Sequence, residues 1–420
     1  MDMTRRGVAT GLMAAASGLP GLAGGQATPQ ASRGVLEMSP QTRLFLYGRY
    51  LPVWQAIQAA PKDPGLQQMA SFIGDEATAL ASAGLGPAGD GPLPADATAQ
   101  DAVAAIVEAA RDRRVVMLNE AHVASRHRSF LARVLHALRP LGFDVLAAED
   151  FVNSREPGAP DVRTYKAGAA LNPSLGFYLH DPVYAEAVRE AAGLGYRLAS
   201  YEQRVDQRVS GEARLDAMPR RETAEADNFI ADVLASNPGS RILVHCGYAH
   251  LRKTPDHRGL LWFAARLREK SGIDPLCVSQ AYTGSFGPHG TDPATTTAVL
   301  ERFRPADSIV VRGADGWVGA VPAGADLAVF HPPLADVDGR PGWLAADPAR
   351  RRVEVAAPGP RQATALLQAV HAVDADQAIP ADQLVLAPEA ASAVLFLRPG
   401  VYRLRLETET GLVPLKTVTV

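Results

Sequence analysis

Cysteine is scarce in this chain, with two residues in 420, Cys246 and Cys277. That excludes a small disulfide scaffold. Each cysteine falls in an apolar run, where the two either pair in an oxidising compartment or remain buried thiols. A basic excess is also missing. Lys and Arg number 42 against 45 Asp and Glu, for a net charge of −3, so no global positive field favours nucleic acid as a partner. Past residue 27 no run approaches the roughly 20 uncharged apolar residues that a membrane span needs. No His-Glu-x-x-His stretch offers a local metal motif, and no internal repeat is evident. Aromatic residues are few at 6%, whereas Gly (37) and Pro (32) are plentiful. That combination means many turns and several long loops.

What is present is a hydrophobic content of 47%, enough for one large domain or two smaller ones, each with its own core. Residues 1–27 read as an export signal. Arg5-Arg6 gives a short basic start, Gly7 to Gly25 is a mild uncharged apolar stretch, and Gly25-Gln26-Ala27 offers small residues for cleavage. The arginine pair resembles a twin-arginine signal, and an ordinary secretory signal is the other reading. An exported chain, periplasmic or secreted, is expected. Residues 28–110 form a helical N-terminal region after a short linker, with apolar residues at helical spacing over 41–60, 64–83 and 97–110 and a Gly/Pro-rich loop from Gly84 to Pro94.

Over 111–345 the pattern becomes strand, helix, strand, helix. The strands are short apolar runs at 115–118, 145–148, 196–200, 242–244, 275–278, 308–311 and 326–330. They alternate little, as strands covered on both faces do. Helices are expected at 125–140, 182–193, 212–236 and 258–270. This predicts an α/β fold, a mostly parallel sheet with helices on both faces. Asn153 to His180 is a long insertion of the kind that makes a lid or a substrate wall. Residues 346–420 read as a small β-rich region, with strands at 353–355, 393–397, 401–406 and 413–420.

The polar residues collect at strand ends. Asn119, Glu120 and His122 follow the first strand, Glu149 and Asp150 the second, Glu202 the third, and Cys246 to His250 the fourth, with Gln280 and Tyr282 after the fifth. In a parallel sheet these carboxyl ends share one edge, where such folds place their sites. Glu120 and His122 are two apart, so an extended backbone points both the same way. A histidine with a carboxylate partner can take a proton from water. The same donors, Glu120, His122, Glu149 and His250, also suit a divalent metal. His127 either lines the cleft or is a solvated first-turn residue, and His245 reads as a buried core histidine. Arg221 either pairs with Glu225 on a helix surface or holds an anionic group and fixes the glutamates.

Four stretches in order, VVMLNEAHVASRHRSF, GFDVLAAED, RRETAEADNF and ILVHCGYAHLRK, together resemble the erythromycin esterase-like and ChaN-like superfamily, with TIKI/TraB proteins as distant relatives. Glu120 and His122 match its first motif, Glu149 the second, Arg221 and Asn228 the third, and His250 the fourth. The resemblance covers roughly residues 110–335. Asn119 stands where that family has Gly, and asparagine is the best substitute at a positive-φ position. The Glu-x-His spacing is that of ChaN-like members, so a macrolide esterase is not the expectation.

What the resemblance implies is split between esterases, metal-dependent proteases and haem- or iron-uptake proteins; the leading expectation is an exported hydrolase in which His122, Glu120, Glu149, His250 and Arg221 do the chemistry. His127, Glu202, Asn228 and Tyr248 are the candidate substrate contacts. The substrate is a small molecule or a peptide, and the cofactor, if any, is a divalent metal. The alternative is a haem- or iron-binding envelope protein without catalysis. Oligomeric state is not legible.

Overall fold

The computed structural model describes residues 40–82, 93–281, 294–357 and 361–420. The expected leader and linker, most of the Gly84–Pro94 loop and Tyr282 lie outside the described residues. The main sheet is built from β1 (Thr98–Asp101), β2 (Val115–Glu120), β3 (Phe143–Ala148), β4 (Arg197–Ser200), β5 (Arg241–Gly247), β6 (Leu276–Ser279), β7 (Ile309–Gly313), β8 (Gly316–Trp317) and β9 (Leu327–Phe330). Their order is β1-β7-β9-β6-β2-β5-β3-β4, with β8 paired to β7. From β9 to β4 all neighbours run parallel. At the other edge β7 lies antiparallel to β9, and β1 and β8 antiparallel to β7. The sheet is therefore mixed, with a parallel majority.

Side-chain alternation along each strand feeds two cores. Val116, Leu118, Leu146 and Leu243 pack with residues of the helices Ala102–Ala110, Ser125–Leu138 and Pro182–Gly193. Val115, Met117, Val145, Ile242 and Val244 pack with Phe229, Val233, Phe263 and Leu267. Those residues come from the π-turn Phe229–Leu234, which continues the helix Arg214–Asn228, and from the helix Phe263–Ser271. Helices thus cover both faces, which is why the strands read as continuous apolar runs. No helix among the described residues is long and apolar enough to cross a membrane.

After the hairpin β10 (Asp336–Val337) and β11 (Arg340–Pro341), six strands make the β-rich region. β12 (Arg351–Ala356) pairs with β15 (Ser392–Leu397). β13 (Ala365–His371), β14 (Asp382–Leu386), β16 (Val401–Thr408) and β17 (Gly411–Thr419) form an antiparallel sheet in the order β14-β13-β16-β17. Val355 and Leu395 from the first sheet and Leu367 and Leu404 from the second share one core, a small sandwich. The N-terminal helices, among them Pro40–Leu46, Leu51–Ala59 and Glu76–Ser82, pack Phe45, Phe72 and Ile73 into the first core. They also reach the sandwich, where the buried Glu407 accepts from Tyr50 N and Arg49 Nε, both at 2.9 Å.

Two features depart from the sequence reading. The helical region does not run to residue 110, because β1 joins the main sheet and Ala102–Ala110 covers it, capped by Asp101. β13 and β14 were not expected. Ala365-Leu366-Leu367-Gln368-Ala369 has helical propensity, but Leu366 packs into the main core and Leu367 into the sandwich core. Burial on both sides overrides propensity there.

Cys246 and Cys277 are free and buried. Cys246 stands beside Asn119 and Cys277 beside Met117, on strands flanking β2. Two strand spacings put their Cα atoms roughly 10 Å apart, beyond disulfide reach. Thiol titration should find no reactive cysteine in the native chain and two after denaturation, with no mass change on reduction.

Candidate active site

The parallel strands bring four chain segments to one edge in the spatial order β2, β5, β3, β4. Glu120 and His122 close β2, Gly247 ends β5 with Tyr248 to His250 after it, Glu149 follows β3 and Glu202 follows β4. All of Glu120, His122, Glu149, His250, Arg221, Glu202 and Tyr248 meet here.

The innermost unit is Arg128–Glu120–His122. Arg128 lies on the helix Ser125–Leu138 and is fully buried. Its Nε and Nη2 donate to the two Glu120 oxygens at 2.7 and 2.6 Å, and Nη1 donates to Asp181 at 2.6 Å. Asp181 caps the helix Pro182–Gly193 and accepts from Ser125 Oγ at 2.6 Å. Burial would raise the Glu120 carboxyl, but Arg128 and His122 together hold it far below the usual range. Glu120 Oε1 accepts from His122 Nδ1 at 2.9 Å, which leaves His122 Nε2 as the free ring nitrogen.

That nitrogen faces Gly247. A Cβ on Gly247 would stand 2.6 Å from His122 Nε2 and 3.1 Å from Glu149 Oε2. Only glycine lets His122 and Glu149 share the notch. Gly247 N also donates to Glu149 Oε2 at 2.5 Å, and Tyr248 N donates to the Glu120 carbonyl at 2.8 Å.

The second unit surrounds Arg221. This guanidinium donates to Glu149 Oε1 at 2.7 Å and to both oxygens of Glu202, and its Nε lies 3.0 Å from Glu225. His250 places Nε2 3.3 Å from Glu149 and Nδ1 3.0 and 3.1 Å from Glu222 and Glu225. Glu222 also accepts from Phe263 N at 2.8 Å, which ties the cluster to the next helix. Burial would lower the His250 imidazole, yet Glu149, Glu222 and Glu225 push it well above its ordinary value. Burial would raise Glu149, but His250 and Arg221 drive it well down. Burial pushes Glu225 up to about 8 against the pull of Arg221 and His250. Glu149 is thus a firmly ionised, weakly basic carboxylate facing an imidazolium.

The insertion after β3 supplies the wall. Asp150 accepts from Tyr178 N at 2.7 Å and Leu179 N at 3.0 Å, and a Cβ on Gly176 would stand 2.6 Å from the Asp150 carboxyl carbon. This latch lays the Tyr178 ring on His122, centroids 4.1 Å apart and 14° from parallel. Tyr248 meets the His122 ring edge-on at 4.9 Å.

Some expected residues serve elsewhere. His127 does not line the cleft. It is fully buried, accepts from Ala121 N at 3.0 Å and stacks on His331. Asn228 supports the segment bearing Glu202: it donates to Glu202 O at 3.0 Å and accepts from Arg204 and Gln207 at 2.9 Å. Arg221, partly buried, pairs with the fully buried Glu225 inside the cluster and not on a helix surface. Asn119 is not at a positive-φ position. It sits inside β2, where Nδ2 donates to Tyr248 O at 2.6 Å and Oδ1 accepts from Gln280 N at 2.8 Å. The left-handed residue is Tyr248, with φ +34°. His245 is buried 3.4 Å from Glu120, its imidazole lowered to about 4 by burial.

Sequence reasoning missed Arg128, Asp181, Tyr178 and Glu222, and gave Glu225 only as a surface partner of Arg221. Arg128 had a readable signal, since it occupies the apolar stripe of Leu131, Leu135 and Leu138. Tyr178 sits in aperiodic sequence and had none.

The expected metal ligands fit a cation poorly. Both Glu120 oxygens are taken by Arg128, and those of Glu149 by Arg221 and Gly247 N. Among the described residues the donor atoms that do converge belong to Glu222, Glu225 and His250, within 4.8 Å of one another. Arg221 already supplies a cation to that group. His250 offers no free nitrogen to haem, because both of its ring nitrogens face carboxylates.

No protein-family model matches the chain, and no curated protein does. Among solved structures it is similar to the C-terminal region of Pasteurella multocida toxin, described as having a thiol-protease-like catalytic triad (TM-score 0.34, 10% identity, 43% of this chain). The chain spans about a quarter of that toxin chain, 25%. It is similar also to RRSP, a MARTX toxin effector domain from Vibrio vulnificus (0.32, 18%, 43% of this chain and 37% of that one). A third is the type III effector HopBA1 (0.32, 15%, 46% and 88%). Likeness this remote transfers no role to any residue here.

Two outcomes follow from this geometry. Gly247→Ala should displace His122 or Glu149 and abolish any His122-dependent turnover while leaving the far-ultraviolet circular dichroism unchanged. His250 binds its proton more tightly folded than unfolded. Its contribution to stability is therefore complete below about pH 6.5 and is lost as pH rises through the folded value. Thermal melts from pH 6 to 10 should show a falling Tm, with a shallower fall in His250→Gln.

Proposed function

We propose that this chain is a hydrolase of the erythromycin-esterase and ChaN type, exported by the leader expected at residues 1–27, with His122 as a metal-independent general base. What carries this reading is the His122 ring itself. Nδ1 is committed to an ionised Glu120, and Nε2 is turned toward the notch that Gly247 leaves beside Glu149. A water hydrogen-bonded to Nε2 gives it a proton as the water oxygen attacks a carbonyl carbon. Glu120 stabilises the imidazolium that forms. Glu149, held ionised by His250 and Arg221, is too weak a base to compete and instead orients the water. His122 then returns the proton to the leaving alcohol or amine. Substrates in this reading are small-molecule or peptide carbonyl compounds.

The test is turnover of 4-nitrophenyl esters and peptide amides by the native chain and by His122→Ala. The variant should lose roughly 100- to 10,000-fold in kcat with circular dichroism unchanged. Equal turnover in both proteins would remove His122 as the base. Activity restored only by added divalent metal would replace the metal-independent route.

A further inference from the structure

We propose that Tyr178 is a further catalytic residue, whose hydroxyl donates a hydrogen bond to the carbonyl oxygen of an ester or amide substrate lying beside His122. This rests on the hydrolase reading above.

Tyr178 comes from the insertion, yet it is as fixed as a core residue. Asp150 holds its backbone and that of Leu179, and its ring contacts both His122 and the Arg128 guanidinium, which is 5.1 Å from the ring centroid. Packing alone would be met by phenylalanine. The hydroxyl is what needs an explanation, because Tyr178 is only 5% exposed and its oxygen has no hydrogen-bond partner in the protein. Buried phenols ordinarily find one. The nearby carboxylates do not provide it. Glu120 accepts from Arg128 and His122, and Glu149 from Arg221 and Gly247 N, but neither accepts from Tyr178 Oη.

The group that completes this hydroxyl is therefore an acceptor that arrives with the substrate. Burial, then Glu149 and Glu120, hold the phenol well above its usual value, so it stays protonated and acts as a donor. Glu149 and Glu120 are the carboxylates that act on this hydroxyl, and their charge favours a neutral acyl group over a phosphate dianion. As water attacks and His122 Nε2 takes its proton, the C=O π pair moves onto oxygen. The resulting C–O⁻ accepts from Tyr178 Oη, and the phenol proton stays on tyrosine. Collapse re-forms C=O, breaks the bond to the leaving group and returns the His122 proton to it. A donor aimed at the developing oxyanion acts on kcat more than on KM.

The experiment compares the native full chain, Tyr178→Phe and His122→Ala on 4-nitrophenyl acetate, with urea unfolding of each. Phenylalanine keeps the stack on His122 and the Asp150 latch. The expected result is a fall of roughly 100-fold in kcat for Tyr178→Phe, a KM within about threefold of native, and an unfolding midpoint equal to or above native. Tyr178→Phe with native kcat while His122→Ala is inactive would overturn the role of Tyr178 and leave the hydrolase reading standing. A kcat loss that tracks a lowered unfolding midpoint would show a structural hydroxyl and overturn it too. Absence of His122-dependent turnover in the native chain would overturn both.

Discussion

A guanidinium with no access to solvent sits beneath the site, and its two carboxylate partners fix everything above it. Arg128 is fully buried and holds both oxygens of Glu120 and one of Asp181. An unpaired charge at that depth costs several kcal/mol, so helix, strand and partner helix can assemble only with these three residues in register. Glu120 is the last residue of β2, and Asp181 is the cap of the helix that follows the insertion. One side chain therefore ties the base of His122 to the end of the loop that walls it. The geometry of the site is inherited from the core.

Around that anchor the site divides its charge into two units with different tasks. Glu120 serves His122 and is neutralised from below by Arg128. Glu149 serves the notch and is neutralised from the side by Arg221 and His250, themselves steadied by Glu202, Glu222 and Glu225. The units meet at Gly247, where a missing side chain lets the His122 ring and Glu149 close on the backbone. Two guanidiniums and an imidazolium balance the charge of these carboxylates.

The residues at the strand ends were legible because a parallel sheet exposes its carboxyl ends along one edge. Glu120, His122, Glu149 and His250 could be assigned to that edge from short apolar runs and the polar residues ending them. The residues that hold these four were harder. Arg128, Glu222 and Glu225 lie on helix faces, and a charge on a buried face shows only once the facing element is known. His127 shows the converse: a histidine near the cleft in sequence turned into the core to accept from Ala121 N. The Tyr178 stack depends on a loop path set by Asp150 and Gly176, which leaves no periodic mark. β13 was hidden because two cores bury it, one from each side.

The central claim is that the ring of His122 is held with Nδ1 protonated toward Glu120 and Nε2 free. Nitrogen-15 chemical shifts of the His122 ring in the native chain, assigned against a His122→Gln variant at a pH where the ring is neutral, test this directly. The account predicts a pyrrole-type Nδ1 carrying the proton and a pyridine-type Nε2. A protonated Nε2 with a bare Nδ1 would contradict it, because the nitrogen facing the notch would then have no lone pair with which to take a proton from water.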